Sequence, residues 1–149
     1  MNYLSNAAAG GAQNTGISLR LLINRIISDS LAPAIQNKSF IVNEVPADIR
    51  MIADEDKIVP VISELLAKVV ANARNGNIHI SAERFSDVLI LEIQDRNNYN
   101  GYALSYSVQS IESQAAMLGG YIRIKGEQKL VATISFSFPN HANAVVYDC

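Results

Sequence analysis

Apolar and polar residues alternate along the chain with two periods. From Ile17 to about Ala32 the apolar positions Ile17, Leu21, Leu22, Ile26 and Ile27 fall near helical spacing, which predicts a first helix ending at or before Pro33. The clearest stripe follows the acidic run Asp54-Glu55-Asp56. Ile58, Ile62, Leu65, Leu66, Val69, Val70 and Ala73 return at steps of three and four, leaving one apolar face on a second helix. The acidic residues suit its N-terminus because they complement the helix dipole. Pro60 fits only a first turn, so the start is expected near Glu55 to Lys57, and Asn75-Gly76-Asn77 ends the element. A third stripe, Leu104, Val108, Ile111, Ala115 and Leu118, stops at Gly119-Gly120, where glycine can close a helix in the left-handed conformation.

Between the helices the period drops to two. Ser39 to Glu44 and Arg50 to Ala53 read as short extended pieces around Pro46. Ile78, Ile80 and Ala82 alternate with His79, Ser81 and Glu83 until Ser86-Asp87 turns the chain. Val88 to Ile93 is more uniformly apolar, which predicts a central strand covered on both faces. Tyr121 to Lys125 and Leu130 to Phe138 form a closing hairpin with Ala132, Ile134, Phe136 and Phe138 on one face. The order helix, strands, helix, hairpin, helix, hairpin predicts an α+β, two-layer sandwich: a mixed, mostly antiparallel sheet with helices packed on one face. Residues 17–139 are expected to form this domain, preceded by an Ala/Gly/Asn-rich leader or linker (1–16) and followed by a tail (140–149).

Composition narrows the classes. With 149 residues, 49% of them hydrophobic and 17% charged, the chain has the material for a real core. Twelve Lys+Arg against fourteen Asp+Glu give a net charge of −2 and a pI near 5.6, which excludes a protein whose main work is gripping a nucleic-acid backbone. Cys149 is the only cysteine, so no intrachain disulfide forms. The first basic residue is Arg20 and no apolar run has the length of a membrane span, so a cytoplasmic chain without direct membrane contact is expected. His79 and His141 lack the spacing of a metal site, and His79 reads as a polar-face strand residue. Ser105, Ser107, Ser110 and Ser113 have no base partner in sequence, and Arg74 and Lys125 read as surface charge.

The layout ADEDKIVPVISELLAKVVANA, a hairpin ending LEIQD, then GYALSYSVQSIESQAAMLGGYIRIK and ATISFSFP resembles the ATP-binding domain of sensor histidine kinases. That is the GHKL (Bergerat-fold) family shared with gyrase, the heat-shock chaperone and the mismatch-repair ATPases. The resemblance runs from about Ile17 to Phe138 and implies ATP and Mg²⁺ as ligands. It places Asn72 where the family's magnesium-ligating Asn stands, and Lys68, one turn earlier, where the family has a catalytic Glu or Asn; no catalytic residue is therefore assigned. Lysine offers no lone pair to a cation while protonated. Asp95 corresponds to the acceptor for the adenine amino group, and Gly101 and Ala103 fall in the phosphate-binding stretch Gly101-Tyr102-Ala103-Leu104-Ser105. Asn97 and Tyr99 replace glycines of the family pattern. Only Arg96 to Asn100 separate Asp95 from Gly101, where family members carry a long lid. Taken without the resemblance, Glu64 and Lys68 read as an i,i+4 surface pair, Asn72 as a solvated helix residue and Asp95 as the start of a polar turn.

Two functions follow as expectations. One is the ATP-binding-type domain of a two-component sensor histidine kinase, with degenerate or weak nucleotide binding, working with a phosphoacceptor and dimerisation domain or a response-regulator receiver. The alternative is a non-catalytic pseudo-ATPase that docks or dimerises. A small regulatory kinase of the anti-sigma type ranks below both, because it needs an intact glycine-rich site. Lys68, Tyr99, Ala103 and the missing lid all depart from the pattern in one pocket, which favours degeneracy.

Overall fold

A computed structural model of the chain describes residues 16–141, so most of the expected leader and all but the start of the expected tail lie outside the described residues. The elements run β1 (Ile17–Ser18), α1 (Leu19–Gln36), β2 (Phe40–Asn43), β3 (Arg50–Met51), α2 (Glu55–Ala71), β4 (Asn77–Phe85), β5 (Val88–Asp95), α3 (Gly101–Met117), β6 (Tyr121–Lys125) and β7 (Ala132–Pro139). The architecture is the expected one: a five-stranded mixed sheet in the order β2-β4-β5-β7-β6, with the helices layered against it. Only the β2–β4 pair is parallel; β4–β5, β5–β7 and β6–β7 are antiparallel. β1 and β3 form a separate two-residue ribbon.

The core is one layer between sheet and helices. Ile78 and Ile80 of β4, Leu89, Leu91 and Ile93 of β5, and Ile134, Phe136 and Phe138 of β7 are all at most 1% exposed. Phe136 and Phe138 add a tilted ring contact with centroids 4.9 Å apart. From above, Leu22, Ile23 and Ile26 of α1, Ile62, Leu65, Leu66 and Val69 of α2, and Leu104, Val108 and Ile111 of α3 close the layer. Each such side chain contributes about 1.5–3 kcal/mol by leaving water. α2 lies between α1 and α3 and packs on both, which explains why its stripe is the most regular in the sequence.

Three expectations need correcting. β5 is not covered on both faces: its residues alternate strictly between buried and half-buried, because the helices cover one side of the sheet only. Its apolar Val88 and Ile90 sit on the open side. α1 does not stop at Pro33 but runs one more turn to Gln36, because Ala34 is buried and the Asn37 N–H closes the turn on the carbonyls of Pro33 and Ala34. Pro60 lies in the second turn of α2, not the first, on the exposed side where losing one helical N–H is tolerated. Other local signals held. Asp54 caps α2, its Oδ1 accepting from the Asp56 N–H at 3.0 Å. α3 ends as the two glycines predict: Gly119 has φ +77°, the Gly119 N–H donates to the Ala116 carbonyl and the Gly120 N–H to that of Ala115.

The open face of the sheet carries polar side chains beside Val88 and Ile90. His79 lies there, with Nε2 2.7 Å from Asn77 Oδ1 and Nδ1 2.9 Å from Glu44 Oε2, the latter a close approach without hydrogen-bond geometry. Glu44 also meets Arg96 at 3.4 Å. The edge strand β2 is thus tied to β4 and β5 on the side without a core. Among the described residues no helix is long and apolar enough to cross a membrane.

Two side-chain arrangements close the fold at its far ends. Asn140, the first residue of the expected tail, is buried; its Oδ1 accepts from Ile52 N (2.7 Å) and Ala53 N (3.2 Å), and its Nδ2 donates to Arg50 O (3.1 Å). Gly101, the first residue of α3, is buried against the β6–β7 turn, where a Cβ would lie 2.2 Å from the Glu127 carbonyl oxygen and 2.5 Å from its Cα. Replacing Asn140 by Ala strands two backbone N–H groups, and urea unfolding is expected to show a loss of about 2–4 kcal/mol. Gly101→Ala forces backbone against backbone and is expected to cost about 1–3 kcal/mol in the same assay.

Candidate functional site

Strand alternation decides where Asp95 goes. It is in phase with Leu89, Leu91 and Ile93, so its carboxylate points to the helix-covered side and is only 4% exposed. A carboxylate there needs donors. Its Oδ1 accepts from the backbone N–H groups of Asn97 at 2.9 Å and Asn77 at 3.2 Å. Among the described residues Oδ2 accepts no hydrogen bond, so a buried carboxylate keeps one open acceptor.

Asn72 is the C-cap of α2. Its Nδ2 donates to the Lys68 carbonyl at 2.9 Å and to Ser107 Oγ of α3 at 3.3 Å. The carbonyl can only accept, so this pairing turns the amide oxygen away, and among the described residues Oδ1 has no partner. Asn72 is therefore half-buried and bonded rather than simply solvated. Ser107, which sequence alone left without a role, is the bridge from α2 to α3 and donates its own hydroxyl to the Ala103 carbonyl at 2.8 Å. Glu64 and Lys68 share the Asn72 face of α2 but do not form an ion pair.

The start of α3 is already occupied by the chain. Asn100 is the N-cap, its Oδ1 accepting from the Ala103 N–H at 3.1 Å. The connector from Arg96 to Asn100 is pinned to the β6–β7 turn: the Asn98 N–H donates to the Leu130 carbonyl at 2.7 Å, and Asn98 Nδ2 to the carbonyls of Lys129 at 2.9 Å and Glu127 at 3.3 Å. Gly101 meets this same turn, so packing alone accounts for a glycine at that position.

On its other side the connector is stitched to the turn after α2. The Arg96 N–H donates to the Asn77 carbonyl at 2.8 Å, Asn97 Nδ2 to the Asn75 carbonyl at 2.8 Å, and the Arg74 guanidinium lies 5.5 Å from the Tyr99 ring centre. Asp95 lies at the inner end of these contacts and Tyr99, exposed, at the outer end. Thus Asn72 is linked through Ser107 to Ala103 in α3, whereas Asp95 is linked to Asn77 and Asn97, and Gly101 to the β6–β7 turn. Neither the Arg74–Tyr99 pair nor the Asn98 clamp has a signature in the sequence, since each joins segments that only the fold brings together. A surface depression borders Gly101 and is lined by the connector from Asn98 and by the β6–β7 turn from Glu127 to Leu130. No group of three His, Cys, Asp or Glu among the described residues is arranged to hold a metal ion.

No family model and no curated protein matches this sequence. Solved structures do. The chain superposes on the histidine kinase AdeS of Acinetobacter baumannii with a TM-score of 0.68 at 16% identity, over 83% of this chain and 66% of that one. It is similar to the nucleotide-free catalytic domain of the histidine kinase ThkA (TM-score 0.66, 18% identity, 85% of this chain and 97% of that one). It is also similar to full-length ShkA in complex with AMPPNP (TM-score 0.70, 15% identity, 87% of this chain) but spans only 32% of that protein. The chain thus corresponds to nearly all of an isolated catalytic domain and to less than two thirds of the longer kinases. The fold is that of the histidine-kinase catalytic, ATP-binding domain.

Proposed function

We propose that the chain is the ATP-binding-type domain of a two-component sensor histidine kinase, and that it binds adenine nucleotide weakly. One observation carries the reading: the two positions matched to nucleotide recognition, Asp95 and Asn72, each hold an oxygen that the protein orients but does not use. Asp95 Oδ2 suits the amino group of adenine, a donor that guanine replaces with a carbonyl acceptor. Asn72 Oδ1 is the hard, neutral oxygen that Mg²⁺ accepts alongside its waters. These residues fit the group the fold implies: Asn72 would hold the cation and Asp95 the base, while Mg²⁺ would supply charge neutralisation at the phosphates.

The same geometry supports weakness. Asn100 already takes the Ala103 N–H that a phosphate would need at the start of α3. A connector pinned at Asn98 replaces a mobile cover, which leaves bound phosphates open to water. Lys68 can meet a phosphate as a point charge but, protonated, neither ligates a cation nor accepts a proton. The occupied Ala103 N–H also favours a second reading, in which the fold serves as a docking or dimerising module without nucleotide. In either case the partner is a phosphoacceptor domain or a receiver; ThkA has been crystallised with the response regulator TrrA.

Calorimetric titration decides between the two. Mg-ADP and Mg-ATP are expected to bind with a dissociation constant on the order of 0.1–1 mM, and Mg-GDP not at all. Asp95→Asn is expected to weaken ADP more than about tenfold, a loss of about 1.4 kcal/mol, while the protein stays folded because an amide oxygen can keep both N–H contacts. Absence of heat with the native protein at millimolar nucleotide would rule out the nucleotide reading and leave the docking one.

A further inference from the structure

We propose that Tyr99 holds Arg74 away from the phosphates of a bound nucleotide, so that the pair acts as an intramolecular latch on this site. The proposal rests on the nucleotide reading above. Two bridges join the end of α2 to the start of α3. The inner one is Asn72 Nδ2 to Ser107 Oγ, and the outer one is the Arg74 guanidinium on the Tyr99 ring. Arg74 lies two residues beyond Asn72, and Tyr99 two residues before Gly101. The outer bridge is therefore two residues along the chain from Asn72 on one side and from Gly101 on the other, both positions that the nucleotide reading assigns to the ligand.

The charge state of Arg74 makes the bridge a competitor rather than mere packing. Its Nη1 donates to the carbonyl of Ala73 at 2.8 Å, and among the described residues no carboxylate pairs with it. The ring face of Tyr99 is thus the side-chain partner of a guanidinium two residues from Asn72. Both side chains are exposed, Tyr99 to 67%, so the contact can open without unpacking the core. A phosphate oxygen offers guanidinium a charged, bidentate partner that is stronger than an exposed aromatic face. Arg74 would therefore exchange Tyr99 for phosphate on binding, and nucleotide affinity is lowered by the stability of the closed pair.

The test is a double-mutant cycle read by Mg-ADP calorimetry on the whole chain. Tyr99→Leu keeps bulk and removes the ring face; it is expected to bind Mg-ADP three- to five-fold more tightly than the native protein, about 0.6–1 kcal/mol. Arg74→Ala is expected to bind more weakly than native, and in that background Tyr99→Leu should change nothing. Adenosine, which has no phosphate, should bind native protein and Tyr99→Leu alike. Tightening that persists without Arg74, or that extends to adenosine, overturns the latch. If native protein binds in an Asp95-dependent way and Tyr99→Leu binds no better, the latch fails and the nucleotide reading stands. If neither protein binds Mg-ADP, both fail.

Discussion

The buried carboxylate of Asp95 is the constraint around which this end of the molecule is organised. A strand with period-two alternation sends every second residue under the helices, and β5 sends Leu89, Leu91, Ile93 and then Asp95. Burying an unpaired carboxylate costs several kcal/mol, so its placement demands nearby donors. Asn77 and Asn97 supply backbone N–H groups to one oxygen. Those two contacts fix the turn after α2 against the connector after β5, and so set the spacing between the end of α2 and the start of α3.

A second consequence concerns economy of backbone. Only Arg96 to Asn100 connect β5 to α3, yet this segment is held on both sides: by Asn75 and Asn77 beneath α2, and by Glu127, Lys129 and Leu130 in the β6–β7 turn. Short connectors that make many directed bonds carry little conformational freedom. The segment is held in place on both sides, and Tyr99 at its outer end meets Arg74 in the turn after α2.

The elements were largely readable from the chain itself. The apolar stripe of α2, the alternation of β4 and β7, the Asp54 cap and the Gly119-Gly120 stop each reflect local chemistry, which acts over three or four residues and leaves a pattern. The misreadings share one cause. A uniformly apolar Val88 to Ile93 looked doubly covered because sequence does not reveal which sheet face receives helices. Pro33 and Pro60 looked like boundaries because propensity ignores the packing that carries a helix past a proline. At the site, Asn72 and Asp95 stood out only through their resemblance to a known layout. Ser107, Asn98, Asn100 and Asn140 stood out not at all: a small polar residue reads the same whether it faces water or holds two distant segments together.

The sequence by itself determined the layer count, the order of elements and the buried side of α2 and α3, because these follow from periodicity and from the free energy of removing apolar surface from water; Leu21, read into the apolar stripe of α1, is exposed in the fold. The tertiary structure alone decided which oxygens remain open at Asp95 and Asn72, which N–H at the start of α3 is taken by Asn100, and that Arg74 rests on Tyr99. Those outcomes depend on the direction of single hydrogen bonds between segments far apart in the chain, and direction is a property that only the folded arrangement has.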